Sequence, residues 1–216
     1  MIKVGITGEL GSGKTHVSSI FQAKGAPYYN CDNHSKELLV TVPELIDLVK
    51  KEFGDDIYEG NVYKNLAQKV FIEGSEAELD KLTSLINPFI NADIDKFFAD
   101  NESAKFCLIE TATLYEVGMD KILDRVIYVY APEEIRLKRA FQRSGLTEQD
   151  YKNRMRRQIS SVEKIRQSDY IISNYDDFDI NALIDQVYEH LTTRDPEKYM
   201  AKQFLQEMYK TIENGK

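Results

Sequence analysis

The chain has 216 residues, 42% of them hydrophobic and 30% charged, with 5 prolines and no tryptophan. That is the make-up of one ordinary globular domain and too little chain for two large ones. A formal net charge of −8 argues against general affinity for nucleic acid or anionic membranes, and no apolar run reaches membrane-spanning length. No signal peptide is read at the N-terminus, and the two cysteines, Cys31 and Cys107, lack metal-ligand spacing; both features suit core thiols in a reducing cytoplasm.

In chain order, Ile2, Val4 and Ile6 alternate with Lys3, Gly5 and Thr7 as a first strand, and Val17, Ile20 and Phe21 then recur at helical spacing. Between them Gly8-Glu9-Leu10-Gly11-Ser12-Gly13-Lys14-Thr15 fits the phosphate-loop pattern G-x-x-x-x-G-K-[ST] in the strand-to-helix setting it needs. Its glycines let backbone N–H groups turn inward, and the following helix adds its positive dipole end, so the loop suits a nucleoside triphosphate. Lys14 would reach the β and γ phosphates, and the Thr15 hydroxyl would hold a magnesium ion.

After the turn Gly25-Ala26-Pro27, Tyr28-Tyr29 reads as a second strand ending at Asn30-Cys31-Asp32. Asp32 then falls at the carboxyl edge of the sheet, where open α/β folds bind ligands. Capping a helix expected from Ser35 to Val40 is its alternative role. From Val42 to about Asp100 the pattern is helical, with apolar faces formed by Leu45, Leu48, Val49 and Phe53, by Leu66, Val70 and Phe71, and by Leu79, Leu82, Leu85 and Ile86. Phe53-Gly54-Asp55-Asp56 and Glu59-Gly60-Asn61 supply turns. Such an insertion binds or covers a second substrate, or is purely structural.

Phe106 to Ile109 is a short apolar run, as expected of a strand covered on both faces, and Glu110 ends it. A carboxylate there is placed to meet magnesium or a substrate group; helix capping is the weaker alternative. Arg125 to Tyr130 reads as the next strand, and Pro132 opens a helix on which Arg139 and Arg143, four apart, share a face able to clamp a phosphoryl group. Arg136 roughly shares that face, with a solvated side chain an equally good reading. From Arg136 to Arg166 stand ten Lys or Arg and three acidic residues, which points to a specific polyanionic ligand, with a solvated helical face as the alternative reading. Leu146 to Gln167 reads as two polar helices, the first opening at Thr147. Tyr170 to Ile172 gives a last strand ending in Ser173-Asn174, and Asp179 to Lys216 reads as two amphipathic helices broken near Asp195-Pro196.

The alternation of strands and helices predicts an α/β doubly wound parallel five-stranded sheet of the P-loop NTPase type. Within this single domain the core is expected at 1–32, 104–132 and 168–216, a helical substrate-binding insertion at about 33–103, and a helical lid at about 133–167.

From residue 1 to about 190 the chain resembles the dephospho-coenzyme A kinase family. The likeness rests on Phe53-Gly54-Asp55-Asp56-Ile57 with Gly60 and Leu66-Ala67 to Val70-Phe71, on Leu85-Ile86-Asn87-Pro88, and on Glu110-Thr111-Ala112-Thr113-Leu114-Tyr115-Glu116. It continues through Arg139 with Arg143, Gln158, Lys164, Ser168-Asp169 and Asn174. The resemblance implies transfer of the ATP γ-phosphate to the ribose 3′-hydroxyl of dephospho-coenzyme A. It implies Asp32 as the base, Gly11 to His16 around the ATP phosphates, Arg139 and Arg143 on a mobile lid, and Asn174 against the adenine.

The chain departs from the family pattern at Glu9, His16, Asn30 and Asn87, and the family's G-L-x-R element stands here as Gly60-Asn61-Val62-Tyr63-Lys64. The altered insertion motivates a second reading, a nucleoside or nucleotide kinase of the same fold. A third, from another class, is a non-enzymatic P-loop nucleotide switch. The C-terminal segment 196–216 leaves two readings open, packing on the sheet or a homo-oligomer contact.

Overall fold

Five parallel strands form the centre of the chain, and each is buried on both faces. The computed structural model describes residues 1–60, 62–64, 66–70, 75–144, 147–175 and 179–193. The strands are β1 (Ile2–Thr7), β2 (Tyr28–Asn30), β5 (Phe106–Glu110), β6 (Arg125–Tyr130) and β7 (Tyr170–Ser173), in the order β2-β5-β1-β6-β7. Continuous apolar runs such as Phe106 to Ile109 suit this position, since helices cover a parallel sheet on both sides. The register sets Ile6 beside Glu110 and Asn30 beside Glu110, so the carboxyl ends of β1, β2 and β5 finish at one edge. The chain leaves β1 for one side of the sheet and later crosses to β6 on the other, which makes this edge the switch point where such folds bind ligands.

One face of the sheet packs on α1 (Lys14–Ala23) and α9 (Ile180–Thr192), where Val4, Ile6, Leu108, Ile127 and Val129 meet Val17, Phe21, Ile184 and Val187. The other face is covered by α5 (Glu76–Asp100) through Ile90, Ile94 and Phe98, against Tyr29, Cys107, Ile109 and Val126. A helix of 25 residues is about 38 Å long. Its N-terminal half runs beyond the sheet and closes a separate core with α2 (Cys31–Thr41), α3 (Pro43–Phe53) and α4 (Leu66–Val70). Leu39, Leu45, Val49, Ile57, Leu66 and Leu82 are buried there. The insertion is therefore joined to the sheet by a continuous helix rather than by a linker. It also holds a hairpin of β3 (Tyr58–Glu59) and β4 (Val62–Tyr63) that the helical pattern did not foresee.

On the far side of the sheet, α6 (Glu133–Ser144), α7 (Glu148–Met155) and α8 (Ser161–Gln167) fill the segment between β6 and β7. Thr147 caps α7 with a full capping box to Asp150. Ile165 of α8 packs with Tyr128 and Ile171 on the sheet. Asn61, Phe71 and the helix expected beyond Pro196 lie outside the described residues. No helix among the described residues is long and apolar enough to cross a membrane.

Leu108, fully buried in the sheet, and Val62, 61% exposed on the hairpin, give a direct test of where the stability resides. Leu108→Ala should lower the unfolding free energy by about 2–5 kcal/mol, and Val62→Ala should change it by less than about 0.5 kcal/mol. Urea denaturation with unchanged slope measures both; similar losses at the two sites would contradict this assignment of the core.

Candidate active site at the carboxyl edge of the sheet

The loop after β1 turns through left-handed glycines because other parts of the chain press against it. A Cβ on Gly11, at φ +85°, would lie 2.2 Å from the carbonyl oxygen of Arg136 in α6, and one on Gly13, at φ +91°, would lie 2.0 Å from Asn174 Nδ2. No other residue type fits at either position. Gly13 precedes the first turn of α1, whose unpaired N–H groups and dipole make the hollow an anion site. Ser12 Oγ is buried there with no hydrogen-bond partner among the described residues, an orphan that a phosphate oxygen would satisfy.

Lys14 is almost wholly buried at this point, with Nζ donating to the carbonyls of Gly8 at 2.7 Å and Glu9 at 3.2 Å. Burial lowers its proton affinity, while Glu110 and then Asp32 push it back up. The ammonium thus lies in the field of Glu110, at the end of β5, and of Asp32, in the first turn of α2. Thr15 Oγ1 donates to Glu110 Oε1 at 2.8 Å, and Glu110 Oε2 accepts from the Tyr28 hydroxyl. His16 stands exposed on the first turn of α1.

Asp32 occupies the second position of α2 and is exposed, near the positive end of the helix dipole, where a carboxylate is favoured. It is not the cap. Asn30 takes that role, with Oδ1 accepting from Asn33 N at 2.9 Å, so α2 begins at Cys31 and not near Ser35. The capping alternative for Asp32 is thereby removed, and its carboxylate remains available. Glu110 likewise caps nothing, since a turn and not a helix follows β5. Burial and the adjacent Asp32 push the Cys31 thiol up to about 12, so it stays protonated at neutral pH.

Glu9 gave no signal in the sequence beyond its departure from pattern, yet it is fully buried and organises the loop's outer side. Its carboxylate accepts from Tyr128 Oη at 2.6 Å and Ser161 Oγ at 3.1 Å and pairs with Arg136 at 3.5 Å. Arg136 is therefore neither solvated nor aimed with Arg139; it is the buried counter-ion of Glu9. Arg139 Nη1 donates to the Asn174 carbonyl at 2.9 Å, and Asn174 Nδ2 donates to the Ser12 carbonyl at 2.8 Å. The side chain of Arg143 lies outside the described residues.

Lys164, also fully buried, donates to the Ala112 carbonyl at 3.0 Å and Gln158 Oε1 at 2.7 Å, with Glu116 at 3.6 Å. It ties the loop after β5 to α8, and burial lowers its pKa against the pull of Glu116. Arg157 reaches Asp80 on α5 at 3.7 Å. Arg136, Arg139 and Lys164 of the basic segment are thus held by fixed partners beside the loop.

A strand-end phosphate loop with a buried lysine, a threonine hydroxyl bonded to a strand-end carboxylate and a clamped arginine is the equipment of a phosphotransferase. The dephospho-CoA kinase family model matches residues 2–179. The chain belongs to the dephospho-CoA kinase family. A relative from Aquifex aeolicus named dephospho-CoA kinase is 32% identical over 200 residues, covering 91% of this chain and 100% of its own. One from Bacteroides fragilis with the same name is 30% identical over 177 residues, covering 80% and 84%. A crystal structure from Thermus thermophilus shares the fold, with a TM-score of 0.76 at 24% identity, over 89% of this chain and 98% of that one. Membership makes the chain an ATP-dependent kinase acting on a small molecule.

Removing the Glu9 charge should strand a buried guanidinium. Glu9→Gln is expected to lose about 3–5 kcal/mol of stability, and the double variant Glu9→Gln with Arg136→Met to regain most of it. Thermal unfolding of both variants measures this; a double variant as unstable as the single one would refute the pairing.

Proposed function

We propose that this protein transfers the γ-phosphate of ATP to the ribose 3′-hydroxyl of dephospho-coenzyme A, the last step of coenzyme A formation. The observation that carries the reading is the position of Lys14, buried at the base of the cradle with Nζ on the Gly8 and Glu9 carbonyls. Family membership supplies the acceptor. The cradle N–H groups and Lys14 bind the triphosphate, and Lys14 exchanges its hold on the Gly8 and Glu9 carbonyls for the β and γ phosphates. Asp32 aligns the acceptor hydroxyl and takes its proton, and Arg139 and Arg143 neutralise charge on the group in transit. Asn174 holds the loop at Ser12 and borders the nucleotide, with the adenine as its other contact. Gly8, Ser12 and His16 complete the surround of the phosphates.

A magnesium ion fits this donor set. No group of three or more His, Cys, Asp or Glu is gathered among the described residues, as suits an ion held by one hydroxyl, water and substrate phosphates. Thr15 would hold it directly and Glu110 through water or through Thr15. Bound there, it would neutralise charge on the β and γ phosphates.

The helical insertion, about 33–103, would receive the acceptor, and α7 between the fixed feet of α6 and α8 would close over the nucleotide. Both thiols are free and buried, which fits a cytoplasmic enzyme.

ADP release measured with and without dephospho-coenzyme A tests the acceptor. Strong stimulation by dephospho-coenzyme A is expected; stimulation only by nucleosides or nucleotides would replace this acceptor, and release indifferent to any acceptor would favour a switch. Lys14→Ala should lose about a hundredfold or more in rate, and near-normal turnover would remove the cradle's role. Asp32→Asn should lower kcat with the KM for ATP nearly unchanged; poor ATP binding with normal saturated turnover would show that Asp32 serves the nucleotide and not the acceptor.

A further inference from the structure

The cap of α2 and the metal side of the cradle are joined by a chain of side-chain hydrogen bonds whose proton directions can be assigned. Asn33 N can only donate, so the Asn30 atom facing it is Oδ1, at 2.9 Å. The amide orientation is thereby fixed, and Nδ2 faces the Tyr28 hydroxyl at 2.9 Å. Having accepted that proton, the Tyr28 oxygen turns its own hydrogen to Glu110 Oε2. Glu110 is 4% exposed, and its other oxygen accepts from Thr15 Oγ1 at 2.8 Å. With its only proton committed, Thr15 presents lone pairs and no hydrogen to the cradle.

We propose that Tyr28 and Asn30 are positioning residues that hold Glu110 as a double acceptor and so keep the Thr15 hydroxyl oriented as a magnesium ligand. The proposal rests on the nucleotide reading of the cradle and is independent of which acceptor is used. The roles are specific to side-chain chemistry. An aspartate at position 30 would still cap α2 but could not donate to Tyr28, whose single proton would then be contested by two carboxylates. A phenylalanine at position 28 would leave one Glu110 oxygen unpaired in a buried site and allow the carboxylate to turn away from Thr15. The same chain sets the first turn of α2, which carries Asp32, against the metal side of the cradle. Metal site and base are thereby built on one scaffold.

The test is calorimetric titration of adenylyl imidodiphosphate, without acceptor, into the wild-type chain, Tyr28→Phe and Asn30→Asp, each in excess magnesium and in EDTA. Thermal melts confirm that the variants are folded. The expected result is that the tightening of binding by magnesium shrinks about fivefold or more in both variants, while affinity in EDTA stays within about twofold of wild type. Unchanged tightening in both variants would overturn the proposal. Equal losses with and without magnesium would overturn it too, by showing general damage to the loop. A loss confined to Tyr28→Phe would overturn the part assigned to Asn30. Since no acceptor is present, a wrong acceptor assignment leaves this result untouched, whereas failure to bind the analogue at all would sink the nucleotide reading itself.

Discussion

The hydrogen bond from Thr15 to Glu110 joins residues 95 apart in sequence, and the geometry of the cleft depends on it. It exists because β1 and β5 are parallel neighbours with Ile6 beside Glu110, so the helix that starts after the loop begins directly above the end of β5. Pairing with β5 fixes that register because Ile2, Val4 and Ile6 of β1 share the face that packs on α1 and α9, and a one-residue slip would carry them to the other face. The apolar runs of the two strands thus determine, at one remove, where a hydroxyl meets a carboxylate. Lys14, the next residue back, is held on the Gly8 and Glu9 carbonyls without needing a ligand to place it.

The loop's other flank is held by a different kind of bond. Glu9 is a carboxylate inside a phosphate-binding loop, which would repel an anion if it faced the cradle. It faces outward instead, where Tyr128, Ser161 and Arg136 surround it, and burial together with this carboxylate pushes the Tyr128 phenol well above its usual pKa. Three elements, β6, α6 and α8, converge on that one side chain. Gly11 meets the α6 backbone at the same place, and Arg139 follows one turn later with its hold on Asn174. The helix that carries Arg136 and Arg139 therefore has a fixed foot on the loop from Gly8 to Thr15.

Most of the fold was legible because its elements obey simple periods: alternation in β1, continuous apolar runs in β5 and β6, and helical spacing in α1, α3, α5 and α9. The hairpin β3–β4 was not, because two-residue strands around Gly60 are too short to show a period. The start of α2 was placed late because Cys31, Asp32 and Asn33 are weak helix formers, and the cap that starts the helix is the preceding Asn30. Of the site, the loop and the strand-end carboxylates could be read from local pattern. The pairing of Glu9 with Arg136 and of Tyr28 with Glu110 could not, because those partners lie far apart in sequence and become neighbours only through the fold. Arg136 shows the limit most clearly. Its spacing from Arg139 suggested a shared face, yet the deciding factor was a buried carboxylate more than a hundred residues earlier.

On the proposed reading one edge of the sheet presents a phosphate cradle and, near it, a carboxylate ready for an incoming alcohol. A crystal structure with a non-hydrolysable ATP analogue and dephospho-coenzyme A bound together examines this directly. The ribose 3′-hydroxyl is expected within about 3.2 Å of an Asp32 oxygen, with Lys14 Nζ moved from the Gly8 carbonyl to the phosphates. An acceptor bound with its hydroxyls out of reach of Asp32, or an analogue seated away from the loop, would contradict it.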